Sequence, residues 1–78
     1  MKFHKVKEVS ALTDLKLSVQ FTNGTTKIYD VAPLMHRFSA FKLLKDESLF
    51  RDVAVDQGGY GIIWNDDLDL SCDELWEN

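Results

Sequence analysis

The sequence predicts an α+β domain: an antiparallel sheet of about four to five strands, a short helical segment packed on one face, and a C-terminal helical turn. Three observations carry this expectation. Leu15, Leu17, Val19 and Phe21 alternate with Lys16, Ser18 and Gln20, the period of two that marks a strand with one buried face. After Pro33 the apolar residues recur instead at spacings of three and four, as on one side of a helix. A second strand pair, marked by Gly58-Gly59, then leads into Ser71-Cys72-Asp73-Glu74, the residue order of a capped helix start.

In chain order, Val6–Leu12 is a first strand with imperfect alternation, and Thr13-Asp14 a short turn. Leu15–Phe21 is the clearest strand. Asn23-Gly24 then signals a hairpin, because a type I′ turn needs positive φ at both central residues. Thr26–Val31 pairs back, with Ile28 as its clearest core residue and Tyr29 and Val31 on the opposite face, for the helices or a partner to cover. Pro33 ends that strand and suits a first helical turn. The helical segment runs over Leu34–Lys45, with Ser39 capping a second short helix, and Asp46-Glu47-Ser48 opens a loop or a last turn ending at Phe50. Asp52–Asp56 and Tyr60–Trp64 form the second hairpin around Gln57-Gly58-Gly59. The nearly continuous apolar run of Tyr60–Trp64 places that strand centrally, and Gly61 leaves room for a large neighbour or a close backbone. Asn65-Asp66-Asp67 breaks the run. Ser71 and Glu74 should then exchange bonds with each other's amides at the start of the last helix.

At 78 residues the chain makes one domain, residues 1–78. A domain of this size buries only ~60% of its unfolded surface, so an unidentified protein partner or a homodimer is expected to add to a marginal core. Cys72 is alone, which fits a reducing, cytoplasmic compartment and leaves no disulfide to staple the fold. The N-terminus lacks a signal-peptide apolar run, and no stretch approaches the ~20 apolar residues of a membrane span.

Charge is unevenly spread. Residues 1–51 hold all nine Lys and Arg against five acids, a net of +4, whereas residues 52–78 hold eight acids and no base. Either the halves lie together and neutralise each other, or an acidic face is offered to a basic partner. Lys2, Lys5 and Lys7 form at best a weak basic patch, so direct nucleic-acid binding is disfavoured.

No catalytic or metal-binding set stands out, and no cofactor is expected. Asp67-x-Asp69-x-Ser71 imitates the start of a calcium loop, but Cys72 and Asn78 stand where its Gly and Glu belong. A turn and a helix cap explain the same acids. Asp69, Asp73 and Glu74 surround Cys72 in sequence and oppose a thiolate, so an inert thiol is expected. His4 and His36 have no metal-ligand spacing, and Gly58-Gly59-Tyr60-Gly61 lacks the Lys and following helix of a phosphate cradle. Trp64 belongs to the core. Trp76 anchors the last helix or joins a binding surface.

Phe21-x-Asn23-Gly24, Tyr29-Asp30-Val31, Phe41-x-x-Leu44, Leu49-Phe50, Val53-x-Val55, Ile63-Trp64, Asp69-Leu70 and Leu75, in that order and spacing, resemble the bacterial family called domain of unknown function 2442. The resemblance runs from about Val6 to Trp76, and it is the spacing of Trp64, Asp69-Leu70 and the capped Leu75 that makes it specific. It implies a small α+β domain, mostly prokaryotic, of uncharacterised function. Some members carry an added helix-turn-helix domain, which is not expected here. Members are often encoded beside another small protein family, hence toxin–antitoxin proposals. The family offers no catalytic residue to carry over. The expected function is therefore a non-enzymatic protein-interaction or antitoxin-like accessory module. Its candidate surface is Asp66, Asp67, Asp69, Asp73 and Glu77 with Trp76 beside them. The alternatives are a DNA-associated transcriptional regulator, acting directly or with a partner, and a small-molecule-binding domain or small enzyme with a pocket near Tyr29 and Trp64.

Overall fold

A computed structural model describes residues 4–78, so Lys2 of the basic patch lies outside the described residues. The fold is α+β, but its strands form two three-stranded antiparallel sheets rather than one sheet of four to five. The first joins β1 (Val6–Ala11), β2 (Lys16–Phe21) and β3 (Thr26–Asp30) in chain order. The second joins β4 (Ala54–Val55), β5 (Gly61–Asn65) and β6 (Leu68–Ser71), with β5 central as its apolar run requires. β1 lies beside β4, yet no hydrogen-bonded ladder connects them. The strand expected over Asp52–Asp56 contracts to two residues, too short to extend the first sheet.

The alternation in β2 buries Leu17, Val19 and Phe21 completely. The register of β3 differs from expectation, and the loop explains it. A two-residue type I′ loop at Asn23-Gly24 would set Val19 opposite Ile28. Instead Phe21 N–H donates to the Thr25 carbonyl at 2.8 Å, leaving a three-residue loop in which only Gly24 has positive φ, at 93°. Val19 now faces Lys27, and Leu17 faces Tyr29. A one-residue slip turns every side chain to the other face. Ile28 is therefore 58% exposed, while Tyr29 and Val31 are buried at 5% and 0%. The observed register also keeps Asp30 in water, where its Oδ1 accepts the Ala32 amide at 3.0 Å. The other register would have buried that carboxylate with Ile28, at a cost of several kcal/mol for an unpaired charge. Consecutive positive φ, the mark of a type I′ turn, occurs at the β1–β2 turn instead, at Asp14 (60°) and Leu15 (59°).

Between the sheets the helical segment divides into α1 (Ala32–Arg37), a 3₁₀ helix (Ser39–Lys45) and α2 (Glu47–Arg51). Pro33 sits in the first turn of α1 as expected. Ser39 does not cap: the N-cap of the 3₁₀ helix is Phe38, with no side-chain bond. Asp46 caps α2, its Oδ1 accepting the amides of Ser48 at 2.9 Å and Leu49 at 3.3 Å. Leu34, Met35, Phe41, Leu44 and Phe50 all turn inward from this segment.

Trp64 lies in the core, as expected, and its Nε1–H donates to the Phe50 carbonyl at 3.1 Å. That bond removes the polar cost of burying an indole. Gly61 answers a backbone approach: a Cβ there would stand 2.3 Å from the Leu70 carbonyl oxygen. β6 follows a turn in which Asn65 Oδ1 accepts the Asp67 amide at 2.9 Å. The sequence signals only the break at Asn65-Asp66-Asp67 and no strand after it. β6 alternates buried Leu68 and Leu70 with exposed Asp69 and Ser71, and runs directly into α3 (Cys72–Glu77). One hydrophobic cluster joins both sheets and all three α-helices, with Phe21, Leu44, Ile62, Leu68 and Leu75 among its fully buried members.

Candidate functional site

The acids of the candidate surface follow the β5–β6 hairpin and α3. Asp66 and Asp67 occupy the turn, Asp69 points outward from β6, and Asp73 and Glu77 stand four residues apart on α3. Such a spacing places both on one helix side. All five are exposed, and none forms an ion pair among the described residues. The ion pair that forms among the described residues, Arg51–Glu47 at 2.9 Å, lies within the basic half, so none of the described bases pairs with these acids.

Trp76, on the same helix as Asp73 and Glu77, packs toward the first sheet. It is half-buried, meets Phe21 edge-on with ring centroids 5.1 Å apart, and stacks on His4 at 3.7 Å. The Lys27 ammonium lies 5.7 Å from its ring centroid and donates to its backbone carbonyl. Trp76 thus fastens α3 to the first sheet. Cys72 is buried, and burial, with Asp73 beside it, pushes its thiol above the ordinary range. His36 is exposed on α1.

A second location was legible only in part. Between α1 and α3 lies a cleft of about 220 Å³ with Tyr29, Asp30 and Arg37 on one wall and Glu74 and Asn78 on the other. Pro33 and Leu34 complete it. The sequence indicated a pocket near Tyr29 and Trp64, but Trp64 is sealed in the core and takes no part. From the sequence, Glu74 is expected to form half of a capping box. One half of that box forms, with Ser71 Oγ accepting the Glu74 amide at 3.2 Å. The other half is diverted: Glu74 Oε2 accepts the Tyr29 hydroxyl proton at 2.8 Å. Burial and then the Glu74 carboxylate raise the Tyr29 hydroxyl far above the ordinary phenol range, against the lowering field of Arg37. Tyr29 therefore stays protonated and its proton stays committed to Glu74. The flipped β3 register that turned Tyr29 inward is what brings these groups together.

A cleft of about 240 Å³ on another side is more apolar, lined by Leu12, Leu15, Leu44 and Phe50 with Lys45 and Glu47 among its polar members. Among the described residues no three His, Cys, Asp or Glu side chains are grouped to hold a metal ion. No helix there is long and apolar enough to cross a membrane.

Neither the curated proteins nor the solved structures contain a chain that matches this one. The model of a family described as "Protein of unknown function (DUF2442)" matches residues 6–78, nearly the whole chain and all six strands. The chain belongs to the DUF2442 family.

Proposed function

We propose that this chain is a non-enzymatic protein-interaction module, an antitoxin-like accessory protein of the cytoplasm, whose partner presents a basic surface. The observation that carries this reading is the run of exposed carboxylates at Asp66, Asp67, Asp69, Asp73 and Glu77, with no ion pair among the described residues. Like charges held on one small fold repel each other, and a basic partner relieves that repulsion and is steered to the face. A homodimer through the same face would set like charge against like. A DNA-associated role has only the excess of base in residues 1–51 in its favour, and would run through the partner.

The test is co-expression with the product of the adjacent gene, followed by purification and measurement of association rates at low and moderate salt. The expected result is a stoichiometric complex whose association slows with salt and slows further, by about tenfold, in an Asp69→Asn/Asp73→Asn/Glu77→Gln variant. Recovery of only the free chain overturns the reading, as does a complex indifferent to both changes.

A second reading, a small-molecule-binding domain, is favoured by a separate observation: the cleft that gathers Tyr29, Arg37 and Glu74.

A further inference from the structure

The cleft between α1 and α3 has an unusual charge arrangement. Arg37 lines it, as do the carboxylates of Asp30 and Glu74, yet no ion pair among the described residues joins the guanidinium to either. Opposite charges that share a small concave space normally close it by pairing. Here both carboxylates are held in place. The Tyr29 hydroxyl fixes one oxygen of Glu74, and the Ala32 amide occupies one oxygen of Asp30. Each carboxylate keeps a second oxygen with no protein donor among the described residues. The guanidinium, whose contact among the described residues is with the Phe38 ring at 5.4 Å from its centroid, keeps its donor fork.

We infer that this cleft binds a small zwitterion, a free α-amino acid, with its carboxylate on Arg37 and its ammonium between Asp30 and Glu74. The fork geometry of a guanidinium matches a carboxylate, and an ammonium with three donors suits two carboxylate oxygens. At about 220 Å³ the cleft is smaller than the ~300–1,000 Å³ of sites for drug-sized ligands, so the occupant has few heavy atoms. Tyr29 is a positioning residue. Its hydroxyl already donates a hydrogen bond to Glu74, and its effect is to present that carboxylate in one orientation, so that less ordering remains for the ligand to impose. The inference stands apart from the partner reading, since Asp66, Asp67, Asp69, Asp73 and Glu77 do not line this cleft.

The experiment is an amide-resonance titration of the full chain with glycine and L-alanine, with acetate and methylammonium as single-charge probes. The expected result is saturable shifts centred on Tyr29, Arg37 and Asn78, with a dissociation constant in the millimolar range or below, and about tenfold weaker binding of either single-charge probe. Arg37→Gln changes an exposed side chain and keeps the spectrum elsewhere. It should abolish the response to glycine, as should Glu74→Gln, while Asp73→Gln should leave it intact. Three outcomes overturn the inference: no response at the cleft to either amino acid, acetate binding as well as glycine, or an Arg37→Gln variant that keeps its spectrum and still binds glycine. Acetate binding as tightly as glycine would mark a plain anion site.

Discussion

The two sheets are built from strands of the same kind yet solve opposite problems. The first has a wet face, carrying Ser18, Asp30 and Ile28, and its difficulty is which side chains to turn inward. The second has a central strand with Ile62 and Trp64 buried and a Gly61 pressed against the Leu70 carbonyl, and its difficulty is clearance. Loop length decides the first sheet and backbone contact decides the second. The same kind of substitution should therefore have unequal effects in the two.

Deleting Thr26 attacks the first sheet where it is decided. With the three-residue loop kept between Phe21 and Thr25, it sets Ile28 opposite Val19 and Asp30 opposite Leu17, turning both inward. The expected loss is about 4 kcal/mol or complete unfolding at room temperature, read from a urea melt. A near-unchanged midpoint would show that the loop does not set the register.

Gly61→Ala attacks the second sheet. Its new Cβ meets the Leu70 carbonyl oxygen, a backbone atom that moves only if β5 and β6 part. A loss of about 3 kcal/mol is expected in the same melt, with the near-ultraviolet signal of Trp64 altered.

Tyr29→Phe isolates the one polar group that the register change turned inward. At neutral pH it should cost about 1 kcal/mol, the lost bond to Glu74. The pH dependence carries the sign. The folded protein holds the hydroxyl protonated well above its ordinary value of about 10, so the unfolded chain loses that proton first. Stability is full below about pH 10 and falls as pH rises past it. The raised Cys72 thiol adds a fall of the same sign from about pH 8.5. Urea midpoints from pH 7 to about 11 should fall for the parent protein, less for Tyr29→Phe, and least for Tyr29→Phe combined with Cys72→Ala.

Ile28→Thr should have the smallest effect, within about 0.5 kcal/mol, because the side chain is already in water. A loss above 2 kcal/mol would restore Ile28 to the core and contradict the observed register.

What the sequence made legible follows the reach of each signal. Alternation over Leu15–Phe21, the apolar run at Ile62–Trp64 and the Ser71 cap are local, and each holds in the structure. The fate of Ile28 was not local, since it depends on whether the loop before it holds two residues or three, and Asn23-Gly24 is compatible with both. β6 was hidden because Asp69 and Ser71, its outward residues, are also the residues of turns and caps. The exposed acids were legible from composition alone. The cleft was legible only through Tyr29, because Tyr29, Arg37 and Glu74 come from three elements and meet only once Tyr29 has turned inward.

One residue of that same strand bears on how copies of the chain meet. β3 forms the open edge of the first sheet, with no pairing strand beyond it among the described residues. Lys27 lies on its inner side, opposite Val19, tied to the last turn of α3 through the Trp76 carbonyl. A foreign strand added along this edge would extend the sheet over an ammonium that must keep its polar partner, and aggregation through exposed strand edges is blunted by inward-pointing charges of this kind. Lys27 is thus a guard against edge-to-edge stacking.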